Sequence, residues 1–159
     1  MDVAKKREAL RCFPKGVYVL TSKSGTRYGA ATITWVSQAS FKPPLLVAAI
    51  RTRSNIFTCL SESRVAALHV VACGQESFAR KFFTGTKALD RTINGEPFVE
   101  KTTSAPILQN ARACVECRVR QIVDGGGDHT LVIMEVVDAE FTERFRPLTI
   151  ADTPWEYGG

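Results

Sequence analysis

The chain has 159 residues, of which 45% are hydrophobic and 23% are charged, and it carries a net charge of +5 with a pI of about 9.1. This length fits one domain, and the apolar content argues against a disordered chain. We find neither a secretory signal nor an apolar stretch near the ~18 residues of a transmembrane helix, so we expect a cytoplasmic protein outside the membrane.

The charged residues and cysteines argue against two kinds of site. The basic residues are scattered, with Lys5-Lys6-Arg7 as the longest run, and no RNA-reading aromatic motif accompanies them. We therefore expect no nucleic-acid partner. The five cysteines are an odd number and are expected to stay reduced. Cys114 and Cys117 lie three apart in a strand-like stretch, which sends them to opposite faces, so we expect no metal site.

The predicted elements are short helices between hairpins. In chain order they are a helix over 4–13, strands over 17–21 and 28–36, a strand over 45–50, a helix over 55–61 capped by Ser54, a strand over 65–72, a helix over 76–83, and a glycine-tipped hairpin of strands 115–123 and 131–137. Residues 84–106 are rich in Thr, Gly, Asn, Pro and Lys, and are predicted to form a long surface loop with up to one helical turn.

The pattern of these strands predicts the fold class. Six or seven strands come mostly in hairpin pairs with three short helices, which favours a mainly β, antiparallel barrel over a parallel sheet. Several strands are apolar on both faces. In a barrel of this size one face would fill the interior and the other would contact a partner subunit, so we predict a homodimer.

Residues 29–60 hold the most informative pattern in the chain. Small residues and hydroxyls over 29–34 are followed by the Pro43-Pro44 stop, the apolar strand, and then Arg51, Arg53 and Ser54 at a helix start. This order predicts a shallow cradle of backbone and hydroxyl donors for a flat polar ring, beside a cationic helix N-terminus that suits a phosphate. Flavin mononucleotide (FMN) has both parts.

Further motifs recur along the chain in a recognisable order. They are Phe13-Pro14-x-Gly16-Val17 with a strand ending at Thr21, the segment from Thr32 to Pro44, Ser77-Phe78-Ala79-x-x-Phe82, Ala113-x-x-Glu116-Cys117-Arg118-Val119, and Gly127-Asp128-His129. With these motifs the chain resembles the flavin reductase-like family, whose fold is the FMN-binding split β-barrel, over nearly its whole length. The stretch 35–40 is similar to the reductase-like module of some flavodiiron proteins, and the ending 155–159 is similar to electron-carrying flavoredoxins.

The resemblance implies an FMN site, with FAD the less favoured cofactor. The implied contacts are Thr32, Ile33, Thr34 and Trp35 along the isoalloxazine ring, Ser37 and Gln38 at the ribityl chain, Ala49 and Ile50 beside either, Arg51, Ser54 and Asn55 at the phosphate, and Phe82 near the cofactor. From the residues alone, Thr32 and Thr34 could be ordinary strand threonines, and Phe82 could belong to the core. Either Arg51 or Arg53 could meet the phosphate.

The two histidines receive different interpretations. The resemblance puts His129 on the nicotinamide side of the flavin, where it would orient the dihydropyridine or its pyrophosphate as the residue active in turnover. The alternative is a hairpin-tip histidine bonded to Asp128. His69 lies in an apolar strand and is predicted to be a core histidine. Trp155 and Tyr157 could stack over the flavin, seal the dimer or anchor the C-terminus.

The implied function is an oxidoreductase that accepts hydride from NADH or NADPH and passes electrons to a free flavin, a redox protein or another acceptor. No GxGxxG motif of a Rossmann domain is present, so the donor would bind transiently over the flavin. One alternative is a flavoredoxin-like electron carrier without NAD(P)H activity. The other is an interaction module that has lost its flavin.

Overall fold

The computed structural model describes residues 1–158. Its helices are α1 (Val3–Arg11), α2 (Asn55–Ser63) and α3 (Glu76–Arg80), with a 3-10 turn over Ile150–Asp152. Its strands are β1 (Tyr18–Ser24), β2 (Arg27–Ile33), β3 (Val36–Ser40), β4 (Leu45–Arg51), β5 (Val65–Val70), β6 (Ala88–Leu89), β7 (Thr92–Ile93), β8 (Glu96–Glu100), β9 (Pro106–Leu108), β10 (Ala113–Asp124) and β11 (His129–Phe141). No helix within this range is both long and apolar enough to cross a bilayer.

The strands form one large and one small antiparallel sheet. The large sheet has the order β2-β1-β5-β10-β11-β4-β3, and the small sheet has the order β6-β7-β8-β9. Every strand pair is antiparallel. The predicted class, a mainly β antiparallel fold with a few short helices, is confirmed.

Two apolar clusters hold the sheets together. The barrel core joins strands β1, β4, β5, β10 and β11 to helix α2, and its larger members are Leu20, Ile50, Leu60, Leu68, Val132 and Met134. A second cluster lies at the small sheet and includes Val17, Val71, Phe78, Phe82, Phe98 and Leu148. Burying each such side chain contributes about 1.5–3 kcal/mol, so these clusters fix how the elements around the site are arranged.

Helix α2 begins where the sequence predicts. The Oγ of Ser54 accepts a hydrogen bond from the N–H of Phe57 at 3.3 Å, and Ser54 has the extended backbone of an N-cap. The helix ends at Arg64, which takes the left-handed conformation with φ 61°. These two caps direct the N-terminus of α2 toward the end of β4.

The prediction for residues 84–106 is wrong. This stretch carries strands β6 to β8 and the start of β9, with no helical turn. Ile93 and Phe98 from it are buried in the second cluster, and the buried Glu96 pairs with Lys81 at 2.5 Å. The strands are only two to five residues long, too short to produce a detectable alternation between turn residues.

The predicted strand over 28–36 is also divided. Strand β2 ends at Ile33 and β3 begins at Val36, so Thr34 and Trp35 form a break between strands on opposite edges of the large sheet. The residues at the break are β-branched or aromatic, and such residues favour strands. Strand propensity therefore predicts one continuous strand here. The break matters because both of its residues line the candidate site described below.

His69 is confirmed as a core histidine. Its side chain is fully buried, Nδ1 lies 2.9 Å from the carbonyl of Val19, and Nε2 accepts a hydrogen bond from the N–H of Leu108 at 2.9 Å. Burial lowers the pKa of His69 to about 4, because the charged imidazolium would lose its hydration. The ring therefore joins β1, β5 and β9 as a neutral Nδ1–H tautomer.

The CxxC pair is divided between two faces of β10, as predicted. Cys114 packs with Ala67 and Ile107, whereas Cys117 belongs to the barrel core. Both thiols are free, and burial raises the pKa of each. Two protonated thiols in separate clusters do not form a dithiol centre.

Candidate functional site

A cavity of about 540 Å³ opens where β2, β4, α2 and the C-terminal segment meet. This volume lies in the range of sites for small ligands and cofactors. Its lining consists of Ala30, Ala31, Thr32, Ile33, Thr34, Trp35, Ala49, Ile50, Arg51, Ser54, Asn55, Ile56, Phe82, Phe83, Thr84, Gly85, Thr86, His129, Ile150, Trp155, Glu156 and Tyr157. All predicted site residues except Ser37 and Gln38 are among them.

One wall of the cavity is the end of β2 and the break that follows it. The hydroxyl of Thr32 donates to the carbonyl of Ala79 at 2.7 Å, and the N–H of Thr32 donates to the carbonyl of Phe82 at 3.2 Å. Both polar groups of Thr32 are therefore used to hold the loop after α3. Thr32 shapes the wall while its own hydroxyl is already engaged.

Thr34 differs from Thr32. Its side chain is only 7% exposed, and its Oγ1 has no hydrogen-bond partner among residues 1–158. Leaving a buried hydroxyl unpaired costs about 1–3 kcal/mol, so such a group in a cavity wall indicates a polar ligand atom as its partner. The carbonyl of Trp35 accepts the N–H of Ala49 at 3.0 Å, which fixes the break against β4.

The cationic end of the cavity lies where β4 meets α2. Arg51 ends β4 and pairs with His129 across the sheet. Ser54 donates from Oγ to the carbonyl of Arg51 at 2.6 Å, so the cap also ties the strand end to the helix. The side chain of Asn55 donates to the carbonyl of Tyr28 at 2.7 Å. A helix N-terminus with an adjacent arginine suits an anion such as a phosphate.

The position of Arg53 separates the two candidate arginines. Arg51 lines the cavity, whereas Arg53 is not among the lining residues. The structure therefore favours Arg51 as the phosphate contact.

Ser37 and Gln38 lie on the exposed strand β3, where the Ser37 hydroxyl donates to the carbonyl of Gln38 at 3.0 Å. Their role at a ribityl chain stays a prediction.

His129 lies beside Arg51 in the cavity lining, on the neighbouring strand β11. Its Nδ1 is 2.7 Å from Oδ1 of Asp128, and its Nε2 is 3.4 Å from the hydroxyl of Tyr157. The hydrogen bond from His129 lowers the pKa of Asp128, so this carboxylate is charged at neutral pH. The indole of Trp35 packs on the imidazole with ring centroids 4.6 Å apart.

Sequence reasoning missed two parts of the lining. The segment 83–86 follows α3, and the Thr86 hydroxyl pairs with both the N–H and the carbonyl of Ala30. The C-terminal segment supplies Trp155 and Tyr157, for which three roles were left open, and Glu156, for which none was predicted. The available signal was the pair of aromatic residues two positions apart near the end of the sequence.

The lining fits a flavin nucleotide. Ile33, Ile50 and Phe82 offer an apolar surface to a flat ring, and the unpartnered Thr34 hydroxyl offers that ring a hydrogen bond. Arg51 and the N-terminus of α2 lie at one end, where a phosphate on a ribityl chain would be neutralised. The cavity thus complements three features of a flavin nucleotide, which are its flat ring, the polar atoms at the edge of that ring and its phosphate.

Comparisons with known proteins agree with this fit. The family model described as "Flavin reductase like domain" matches residues 10–154. A relative from Rhizobium rhizogenes strain K84, the FMN reductase (NADH) RutF 2, is 26% identical over 82% of this chain and 75% of its own length.

Two solved structures share the fold. The flavin reductase PheA2 is 27% identical with a TM-score of 0.78, covering 94% of this chain and 93% of its own. The Streptomyces globisporus NADH:FAD oxidoreductase SgcE6, solved with NAD and FAD fragments, is 27% identical with a TM-score of 0.75, covering 86% and 81%. The closer likeness to a flavodiiron module stays a prediction. By its fold, its cavity and the family match over residues 10–154, this chain belongs to the flavin reductase-like family.

Proposed function

We propose that this chain binds FMN in the cavity, accepts hydride from NADH or NADPH, and passes the electrons to a free flavin or another acceptor. The observation that carries this proposal is the buried hydroxyl of Thr34, which has no partner among residues 1–158, in a cavity that is also lined by Arg51 and by the N-terminus of α2. Relatives named as NADH-dependent FMN and FAD reductases support it. They also support NADH as the first donor to test.

Each part of the lining has a role in this proposal. The hydroxyl of Thr34 would bond a polar atom of the ring, and Arg51 with the α2 N-terminus would hold the phosphate. Ile33, Ile50 and Phe82 would exclude water from the ring. When bound, the flavin supplies the hydride-accepting and electron-passing chemistry, while the protein contributes position and electrostatics.

His129 would act on the donor and not on the hydride itself. The ring lines the cavity beside Trp35, where a flat nicotinamide stacked over the flavin would meet it. Since hydride moves between carbon and flavin nitrogen, no proton from His129 is required. Its proposed role is to orient the donor through stacking and hydrogen bonding.

The visible spectrum of the purified protein tests the proposal. We expect FMN to bind with a shift of its blue absorption band and quenching of its fluorescence, and NADH to bleach that band in anaerobic stopped-flow mixing. Protein that neither carries nor takes up FMN would contradict the proposal. A flavin band left unchanged by both NADH and NADPH would contradict the reductase activity and support the electron carrier instead.

We also propose that the protein acts as a homodimer. Strand β11 exposes Leu131, Val137 and Phe141, and Phe41 is 90% exposed just after β3, two positions from β11 in the large sheet. The proposal is that these side chains form one contiguous apolar patch, since large patches of this kind mark interaction sites. Sedimentation velocity would show a dimer at micromolar concentration, and a Val137→Glu variant would sediment as a monomer. A wild-type monomer would contradict this part of the proposal.

A further inference from the structure

A segment near the end of the sequence, residues 153–158, lines the cavity through Trp155, Glu156 and Tyr157, and we call it the C-terminal strap. Trp155 of the strap packs edge-on against Phe83 with ring centroids 4.9 Å apart, and the guanidinium of Arg80 lies 5.6 Å from its ring. Glu156 forms an ion pair with Arg11 of helix α1 at 2.9 Å. The strap is thus held by residues from two distant parts of the chain. Because these contacts fix Trp155 and Glu156, they also fix the position of the adjacent Tyr157.

Tyr157 contacts the imidazole of His129. The Tyr157 hydroxyl lies 3.4 Å from Nε2, and the Tyr157 ring meets the indole of Trp35 edge-on at 5.6 Å. The same indole packs on the imidazole at 4.6 Å. Three aromatic rings from β11, the β2–β3 break and the strap therefore form one cluster in the cavity wall.

The hydrogen bonds of His129 can be assigned from the chemistry of its partners. The charged carboxylate of Asp128 can only accept, so Nδ1 carries the hydrogen and donates it at 2.7 Å. In the neutral imidazole Nε2 is then an acceptor, and the phenol of Tyr157 is the donor. Asp128 and Tyr157 therefore each bind one nitrogen of the imidazole. Because the hydrogen bond at one nitrogen determines which form the other takes, the two contacts together fix the tautomer.

We infer that Tyr157 is a positioning residue, which donates to Nε2 of His129 and holds the imidazole as the Nδ1–H tautomer against Trp35. Tyr157 acts through His129 and needs no contact with the reacting atoms. The consequence for turnover rests on the proposed function, because the orientation of His129 matters there for the nicotinamide donor. The tautomer itself does not depend on any ligand.

Nitrogen-15 NMR of the ligand-free protein tests the tautomer directly. The chain has two histidines, and the buried His69 has the same Nδ1–H tautomer, so it serves as an internal reference. At a pH well above the ordinary imidazole value we expect the two-bond correlation pattern of Nδ1–H for both rings. A Tyr157→Phe variant should shift the Nε2 resonance of His129, because this nitrogen loses its hydrogen-bond donor, and should leave His69 unchanged.

A matched variant controls for the loss of a hydroxyl. Tyr28 packs against Phe98 at 5.4 Å and is not among the cavity-lining residues, so Tyr28→Phe should leave both histidine patterns as in the wild type. An Nε2–H tautomer for wild-type His129 would overturn the inference. So would a Tyr157→Phe spectrum identical to that of the wild type.

Steady-state kinetics tests the consequence. Tyr157→Phe should raise KM for NADH about three- to tenfold, as expected for loss of one neutral hydrogen bond, with little change in kcat or in FMN affinity. Tyr157→Ala should raise KM further, since the ring that supports Trp35 is also lost. A lower KM in either variant would mean that the strap competes with the donor, which contradicts a positioning role. Failure of FMN to bind would instead contradict the proposed function, whereas the NMR test of the tautomer, made on the ligand-free protein, would remain valid.

Discussion

Gly29 in β2 lies directly against Ile56 in α2: a Cβ added at Gly29 would be 2.9 Å from the Cα of Ile56 and 3.2 Å from the side chain of Cys59. The nearest atom belongs to the helix backbone, which cannot rotate away as a side chain can. The N-terminus of α2, which lines the end of the cavity proposed for the phosphate, therefore packs on a position that only glycine allows.

Gly29→Ala should consequently push α2 away from β2. We expect a loss of about 1–3 kcal/mol in the free energy of unfolding, the usual cost of overpacking, together with weaker FMN binding. Urea unfolding and FMN titration measure the two effects. Gly125→Ala is the matched control, because that glycine has no heavy atom within 4 Å of its added Cβ. Wild-type stability in Gly29→Ala would show that α2 is free to move.

Replacing Arg51 tests the phosphate end. Arg51→Gln should weaken FMN binding about 10- to 100-fold, the effect of losing a charge-assisted hydrogen bond. Riboflavin lacks the phosphate, so its affinity should hardly change. Arg53→Gln removes the same charge from outside the cavity and should have a much smaller effect on both ligands. Equal losses from the two variants would point to general electrostatic attraction and not to a contact.

Replacing Thr34 should change stability and binding in opposite directions. Valine has the same shape without the hydroxyl, so Thr34→Val removes the unpaired buried group and should stabilise the flavin-free protein by about 1 kcal/mol. The same change should weaken FMN binding about three- to tenfold, because the ring loses a hydrogen-bond partner.

Thr32→Val provides the contrast. The Thr32 hydroxyl already donates to Ala79, so its loss should destabilise the flavin-free protein by about 1 kcal/mol. Calorimetry of both variants without flavin measures the difference in sign. Destabilisation by Thr34→Val would mean that its hydroxyl has a partner, such as a bound water, in the free protein.

The buried His69 predicts a pH dependence of stability. Its pKa is lowered from 6.5 to about 4 in the folded protein, so between these values the unfolded chain binds the extra proton. The contribution of His69 to the free energy of unfolding is therefore fully present above pH 6.5. It is lost as the pH drops toward 4, and the total loss from this group is about 3 kcal/mol. Urea unfolding at pH 7 and pH 4.5 measures it.

A His69→Leu variant should be less stable at pH 7, since the carbonyl of Val19 and the N–H of Leu108 lose their partner. Its stability should nevertheless fall less between pH 7 and pH 4.5. An unchanged decline would assign the pH dependence to the carboxylates.

Local sequence was a reliable guide where a residue's role is set by its neighbours in the chain. Ser54 caps α2 because an N-cap needs only a short polar side chain three residues before an unpaired N–H. The apolar run of β4 was likewise found in place. Five of the predicted site residues belong to β4 or to the cap and first turn of α2, namely Ala49, Ile50, Arg51, Ser54 and Asn55, and all five line the cavity.

The local sequence was therefore sufficient to predict the antiparallel β class, the family, and the end of β4 with the start of α2 beside the cavity, because motifs, periodicity and capping act over a few residues. Tertiary packing placed Arg51, but not Arg53, in the cavity lining, left the Thr34 hydroxyl without a partner among residues 1–158, and folded residues 84–106 into short strands. It also brought Tyr157 to His129, a pair 28 positions apart in the chain. Such contacts depend on how distant segments pack, and no local pattern of residues encodes that packing.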